Sequence, residues 1–440
     1  MKKLLFTLCL SSILLACKKD KTPDIKPVDL GVSLAYDISS GYTLPLTNAK
    51  VKITNILTKA SQELPVGTDG KVLFTAIAVG SYDIDAVVSI PAAEYSRITG
   101  IPTEDAVTFN ASEKGKQINS DFSGNLELKL IAGKSGDWVI KQIYYAGSNT
   151  SEGAGFRDQF IEFYNNTNVV LYADSLYFGQ VFGRVSTANT TIHTLAGGQL
   201  DWSKSVNMPS NINANRDYVY VKTLLMIPGT GKQYPVQPGE SIVLAQTALN
   251  HKSPFTGNNG KVFSVKKPEL TVDLSKADFE AYYGNLPGET PFASDIDNPQ
   301  VPNMEVLSYT GNDLILDNKG RDSYVIFKVD GTQKVRSWPQ YNEPTKATPA
   351  PTAKKYYQVP LQYVIDGVEI QSNIASDRFP KKLPANIDAG LVFSPNGAYS
   401  SQSVIRKTQK TTNGKRVLKD TNNSSEDFDF FDRAEPKGFK

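Results

Sequence analysis

Short segments in which apolar and polar residues alternate recur along this chain, and they restrict it to β structure. Asp29-Leu30-Gly31-Val32-Ser33-Leu34-Ala35-Tyr36 sets Leu30, Val32 and Leu34 on one face, as a half-buried strand requires. Residues 49–54 repeat the pattern. In Thr68-Asp69-Gly70-Lys71-Val72-Leu73-Phe74 an Asp-Gly turn leads directly into a third such strand. Gly80 precedes a fourth, led by Tyr82. Composition points the same way: 25 Pro and 32 Gly punctuate the chain, while 21 Tyr and 20 Phe favour pleated sheet. A length of 440 residues exceeds what one core of this kind fills. The expected fold class is all-β, built as two β-sandwich modules, with no internal repeat of fixed period.

The N-terminus sets the compartment. Met1-Lys2-Lys3 is a charged start, followed by an apolar stretch too short to span a bilayer, and residues 1–16 read as an export signal. Leu14-Leu15-Ala16-Cys17 resembles the bacterial lipobox, which implies cleavage before Cys17 and lipidation of its thiol. Cys9 leaves with the signal, so neither a disulfide nor a cysteine metal ligand is expected afterwards. Loss of Lys2 and Lys3 also takes the formal charge from +2 to zero, which removes any bulk electrostatic reason to bind nucleic acid. Residues 17–28 mix Lys with Asp, include Pro23 and Pro27, and read as a tether. The expected location is the outer membrane, lipid-anchored through Cys17, with the periplasmic or cell-surface face left open.

The first module is expected over residues 29–132. Its order of Asp69-Gly70-Lys71, Phe74 and Gly80-Ser81-Tyr82-Asp83-Ile84 resembles the prealbumin-like sandwiches of carboxypeptidase regulatory domains, with residues 126–130 closing the sheet. The resemblance implies a spacer, a folding aid or a weak binding unit. Some such modules form a Lys–Asn isopeptide, but Lys50 and Lys52 have no Asn partner in residues 126–130 and read as solvent-facing.

The second module is expected over residues 136–440. Trp138-Val139-Ile140-Lys141-Gln142-Ile143-Tyr144 and Phe160-Ile161-Glu162-Phe163-Tyr164-Asn165 come first. Residues 234–245, 314–320, 364–368, 403–407 and 420–428 follow in order. Together they resemble the lamin-tail fold, an immunoglobulin-like sandwich, extended by extra material near 180–232, 250–304 and 329–356. As a whole the chain resembles a family of uncharacterised bacterial outer-membrane lipoproteins, which implies no particular activity. Ser275 followed by residues 276–283 predicts a short helix.

The two histidines, His193 and His251, stand apart in polar surroundings, and no zinc, phosphate-loop or nucleophile-elbow string occurs. No catalytic residue and no metal ligand are therefore assigned. Two carboxylates suffice for glycoside hydrolysis, and Glu162 is the tempting one, yet on an alternating strand it should face opposite to Ile161 and Phe163 in a structural role. No cofactor is expected. Calcium is the metal the acidic segments 295–298, 313–318 and 427–432 would suit, although none has the twelve-residue calcium loop. Trp202, Trp338 and Tyr341 lie in or beside the insertions and are the candidate binding residues, either as exposed platforms or as clips that hold long loops down. The resulting expectation is a non-enzymatic binding or scaffold lipoprotein whose partner is an outer-membrane transporter or an extracellular glycan. A carboxylate-dependent glycan hydrolase and a passive surface spacer are the alternatives.

Overall fold

The computed structural model describes residues 26–36, 43–100, 103, 106–132, 136–186, 189–329, 333–412 and 414–440. The export signal, Cys17 and the tether as far as residue 25 lie outside the described residues. Among the described residues no helix is long and apolar enough to cross a membrane.

The fold is all-β, with two sandwich-like assemblies of sheets. The first uses β1 (Val28–Tyr36), β2 (Lys50–Asn55), β3 (Ser61–Pro65), β4 (Lys71–Ile77), β5 (Gly80–Ile90), β6 (Val107–Ile118) and β7 (Asn125–Ala132). Their order is β3-β2-β5-β6-β7-β1-β4, and they pair only with one another. β1 runs antiparallel to β4 and parallel to β7. β6 and β7 meet at two residue pairs alone, Phe109–Ala132 and Asn110–Ile131. That narrow joint lets β4-β1-β7 close over β3-β2-β5-β6, and the inner faces share one core that includes Leu30, Val32, Ile53, Phe74, Ile84 and Leu128. Gly70 turns the chain into β4 at φ 75°, where an added Cβ would lie 2.9 Å from Leu46. Lys50 pairs with Glu63 at 2.9 Å on the surface and Lys52 is exposed, as their strand pattern requires.

A helix stands where the pattern did not place one. α1 (Ala92–Thr99) starts after Pro91 and stops at Gly100, which takes the left-handed conformation at φ 73°. The helix expected over 276–283 is absent. Asp273 accepts from both the N–H and the hydroxyl of Ser275, at 2.9 and 2.6 Å, so Ser275 caps nothing. Phe279–Glu280 instead forms a strand parallel to Leu244 and Ala245, with Phe279 buried in the main core.

The second assembly has two larger sheets. One runs in the order Phe279–Glu280, Ser241–Ala245, β9 (Phe160–Asn165), β8 (Trp138–Tyr144), Ser403–Arg406 and Phe428–Phe431. The other runs Gln340–Asn342, Lys355–Pro360, Tyr218–Met226, Tyr177–Val181, Ser323–Phe327 and Val364–Glu369. Ile161, Phe163, Phe178, Leu225, Leu244 and Ile326 belong to the core shared by the two. The outer faces are buried too. Residues 248–301 lay Ala248, Val272, Leu274 and Val301 over Tyr144, Phe160 and Val243 of the first sheet. Val335, Leu383 and Ile387 cover Val221, Val325 and Phe327 of the second. The extra length near 250–304 and 329–356 therefore supplies covering layers. Residues 314–316 form no hairpin strand; the side-chain amide of Gln159 replaces the neighbour, accepting from Leu316 N–H at 2.9 Å and donating to its carbonyl at 2.6 Å.

The two assemblies touch at several points. Asn110 of β6 donates to the Thr421 carbonyl at 3.1 Å. Gly115 in β6 approaches Gly197 so closely that a Cβ there would lie 2.2 Å from the Gly197 Cα.

Candidate functional site

Beside the Gly115–Gly197 contact lies a cleft of about 400 Å³. Tyr218 and Tyr220 reach it from the Tyr218–Met226 strand, Phe182 from just beyond Tyr177–Val181, and Leu195 and Trp202 from the insertion between these strands. Glu113 of β6 closes it from the first assembly. The aromatic wall is rigid. Trp202 stacks on Tyr220 with ring centroids 3.6 Å apart, and Phe182 stacks on Tyr356 at 3.7 Å. The neighbouring polar side chains are bound internally. Gln199 accepts from Arg184 N–H at 2.6 Å and donates to the Pro380 carbonyl at 2.9 Å. Asn215 accepts from Trp202 N–H and donates to Asp201. The Lys382 amine, held below its ordinary range by burial, donates to the Arg321 carbonyl at 2.6 Å. The cleft thus presents ring edges and aliphatic surface with the exposed carboxylate of Glu113 at its margin.

Of the sequence-predicted binding residues, the structure brings two together. Trp202 and Tyr341 are 6% and 9% exposed and both pack against Tyr220. Trp338 lies elsewhere, half-buried between Phe327 and Tyr363 at 5.6 Å from each. All three fasten loops to the sheet, and only Trp202 lines the cleft. Phe182, Leu195 and Glu113 had no signal in the sequence, because they meet only where the two assemblies touch. A second, larger cleft of about 500 Å³ also lies between the assemblies, lined by Lys52, Asp83 and Asp85 against Arg378, Phe393 and Phe430.

Glu162 does face away from the main core, but that side is also closed. Its carboxylate is fully buried and sits 2.8 Å from the Lys141 amine, which is fully buried as well. Ser241 donates its hydroxyl to Oε1, while Gln142 Nε2 and the Lys437 N–H approach Oε2 at 3.2 and 3.3 Å. The Phe439 ring covers the Lys141 amine at 3.6 Å. No path leads from solvent to this carboxylate, so it is not placed to act on a glycan.

The acidic segments serve the fold. Asp427 lies 3.6 Å from Arg406 and accepts from Thr421, and Asp313 accepts from Gln246 at 2.6 Å. Burial pushes Asp295 and Asp313 well above the usual carboxylate range and Glu280 up to about 7. Among the described residues no group of three or more His, Cys, Asp and Glu side chains is placed to hold a metal ion. His251 is buried, its Nε2 lying 3.0 Å from the Thr247 carbonyl, and burial holds its imidazole below the ordinary range.

No curated protein matches this chain. Among solved structures, a DUF4876 family protein from Bacteroides thetaiotaomicron VPI-5482 is 24% identical, with 92% of this chain and 95% of that chain covered and a TM-score of 0.51, a likeness of fold. A DUF3823 family protein from Parabacteroides merdae ATCC 43184 is 13% identical over 46% of this chain and 92% of that chain, with a TM-score of 0.14. Residues 237–434 match the family described as Protein of unknown function (DUF4876), a stretch that holds the later strands of both large sheets.

Proposed function

We propose that this chain is a non-enzymatic lipoprotein of the cell envelope, anchored in the outer membrane through Cys17, that binds an extracellular glycan or an outer-membrane transporter. In this reading it belongs with the uncharacterised outer-membrane lipoproteins that pair a prealbumin-like sandwich with an extended lamin-tail-like one. The single observation that carries the binding role is the aromatic cleft between the two assemblies. Phe182, Tyr218 and Leu195 offer a largely apolar wall, stiffened by the stacked Trp202, against which the C–H face of a sugar or a partner's apolar side chain packs, with Glu113 available to a hydroxyl or cation at the margin. The burial of Glu162 against Lys141 weighs against the hydrolase.

The test is retention of glycans and membrane proteins by the full lipidated chain, compared with Leu195→Arg. Leu195 is 39% exposed, so its replacement fills the cleft without opening a core. The native chain should retain a glycan or a transporter, and Leu195→Arg should lose it with unchanged melting. Equal retention by both proteins would remove the cleft from the function, and retention of nothing by the native chain would favour the passive spacer. Cys17→Ser should abolish labelling by radioactive palmitate; equal labelling would refute the anchor.

A further inference from the structure

We propose that the Lys141 and Glu162 side chains are joined by an intramolecular amide bond, a covalent staple between β8 and β9. β8 and β9 slip by one residue between Ile140 and Gln142, so Lys141 bulges out of the ladder and lies on the same carboxylate as its neighbour Gln142. Lys141 and Glu162 are both fully buried, with the amine 2.8 Å from Oε1. Such a pair keeps two charges away from water at a desolvation cost that their attraction does not always offset. A desolvated lysine is also the form in which an amine acts as a nucleophile, and burial lowers this one from its ordinary range.

The groups around the carboxylate divide into two sets with different uses. Oε2 faces two N–H donors, Gln142 Nε2 and the backbone of Lys437, which match the needs of a developing oxyanion. Oε1 faces the Lys141 amine and the Ser241 hydroxyl, which match the needs of a departing oxygen. Transfer of one proton within the ion pair gives a neutral amine and a carboxylic acid. The Lys141 nitrogen lone pair then attacks Glu162 Cδ, forming the Nζ–Cδ bond. The Cδ–Oε1 bond breaks, and Oε1 leaves as water with its own proton and one released by the nitrogen through the Ser241 hydroxyl. Amine and acid become amide and water, so no oxidant or other co-reactant is needed. Fixed proximity replaces the activation that a bimolecular condensation would require. The Phe439 ring over the amine excludes solvent, and the neutral product removes both buried charges.

The experiment is peptide mapping by mass spectrometry of the full chain, purified folded, then denatured and digested. The segments carrying Lys141 and Glu162 should be recovered as one branched species, lighter than the two linear peptides together by one water. Glu162→Ala should return the Lys141 peptide to its linear mass. Recovery of both peptides in linear form from a native chain that unfolds cooperatively would overturn the proposal, independently of whether Glu162→Ala folds. A water loss that persists in Glu162→Ala would overturn it as well, by placing the lost water elsewhere.

Discussion

Replacing Arg406 by Ala should be among the most damaging single changes in the second assembly, and its cost should depend on pH in a defined direction. The guanidinium is 2% exposed. It reaches Asp366 at 2.5 Å, Asp420 at 3.1 Å and Asp427 at 3.6 Å, and donates to the carbonyls of Ile140 at 2.9 Å and Lys419 at 3.1 Å. The variant leaves three buried carboxylates and two carbonyls without their shared donor. Removing one partner of a buried ion pair costs about 3–5 kcal/mol, and Arg406→Lys should recover little of it because one ammonium cannot span the same forked set. Burial already raises Asp366 above the usual range and Asp427 to about 6, against the pull of Arg406. A carboxyl raised in the folded state favours folding while protonated, and that contribution is lost as pH climbs from the unfolded value, about 3.9 for Asp, through the folded one. Without Arg406 the folded values rise further, so the deficit should be largest near neutrality and shrink by about 1–2 kcal/mol on going to mildly acid pH. Urea unfolding of both proteins at two pH values measures it. A deficit below about 1 kcal/mol, or one that is the same at both pH values, would refute the reasoning.

Four further outcomes are expected. Phe163→Ala should cost about 3–5 kcal/mol through lost burial and a cavity between the large sheets, read by denaturant unfolding. Trp338→Ala should cost about 2 kcal/mol or more, because its ring is sandwiched between Phe327 and Tyr363; unchanged melting would show that the stacking does not hold this loop. Glu280, raised to about 7 by burial, should make the native chain lose stability as pH rises from about 4.5 through neutrality, by at most about 3 kcal/mol, and Glu280→Gln should flatten that slope when followed by urea titration. A chain starting near Leu30 and ending near Ala132 should unfold cooperatively, since its strands pair only with each other, and failure to do so would move the boundary.

What the sequence disclosed and what it withheld divide along one physical line. β1, β2 and β5 were legible because one face of each is buried and the other is wet, and alternation records that difference. β3, with the residues Ser-Gln-Glu-Leu-Pro, is almost wholly exposed and carries no such record. β8 and β9 are buried at every position, so their strand character was readable from apolar content but their polar residues were not: nothing local says that Glu162 turns away from one core into another enclosed space. The residues that close that space, Ser241, Lys437 and Phe439, are distant in the chain. The cleft shows the same limit. Trp202 is legible as an aromatic in an insertion, whereas Glu113 and Leu195 gain their position from a contact between assemblies that no periodicity encodes.

The place of Ser403–Arg406 in its sheet has a consequence for how the chain is made. This strand lies beside β8, with Val404 opposite Ile143 and Ile405 opposite Gln142, although about 260 residues separate them. The first assembly holds all its strands by Ala132 and can close as soon as that length has emerged. β9 follows soon and pairs one side of β8, but the other side waits, an apolar edge with unpaired hydrogen-bonding groups, until nearly the whole remaining chain has followed. Such a waiting edge is the kind on which unfinished chains pair with one another. The yield of this protein should therefore depend more on how well that strand is shielded during delivery than on the stability of the finished fold.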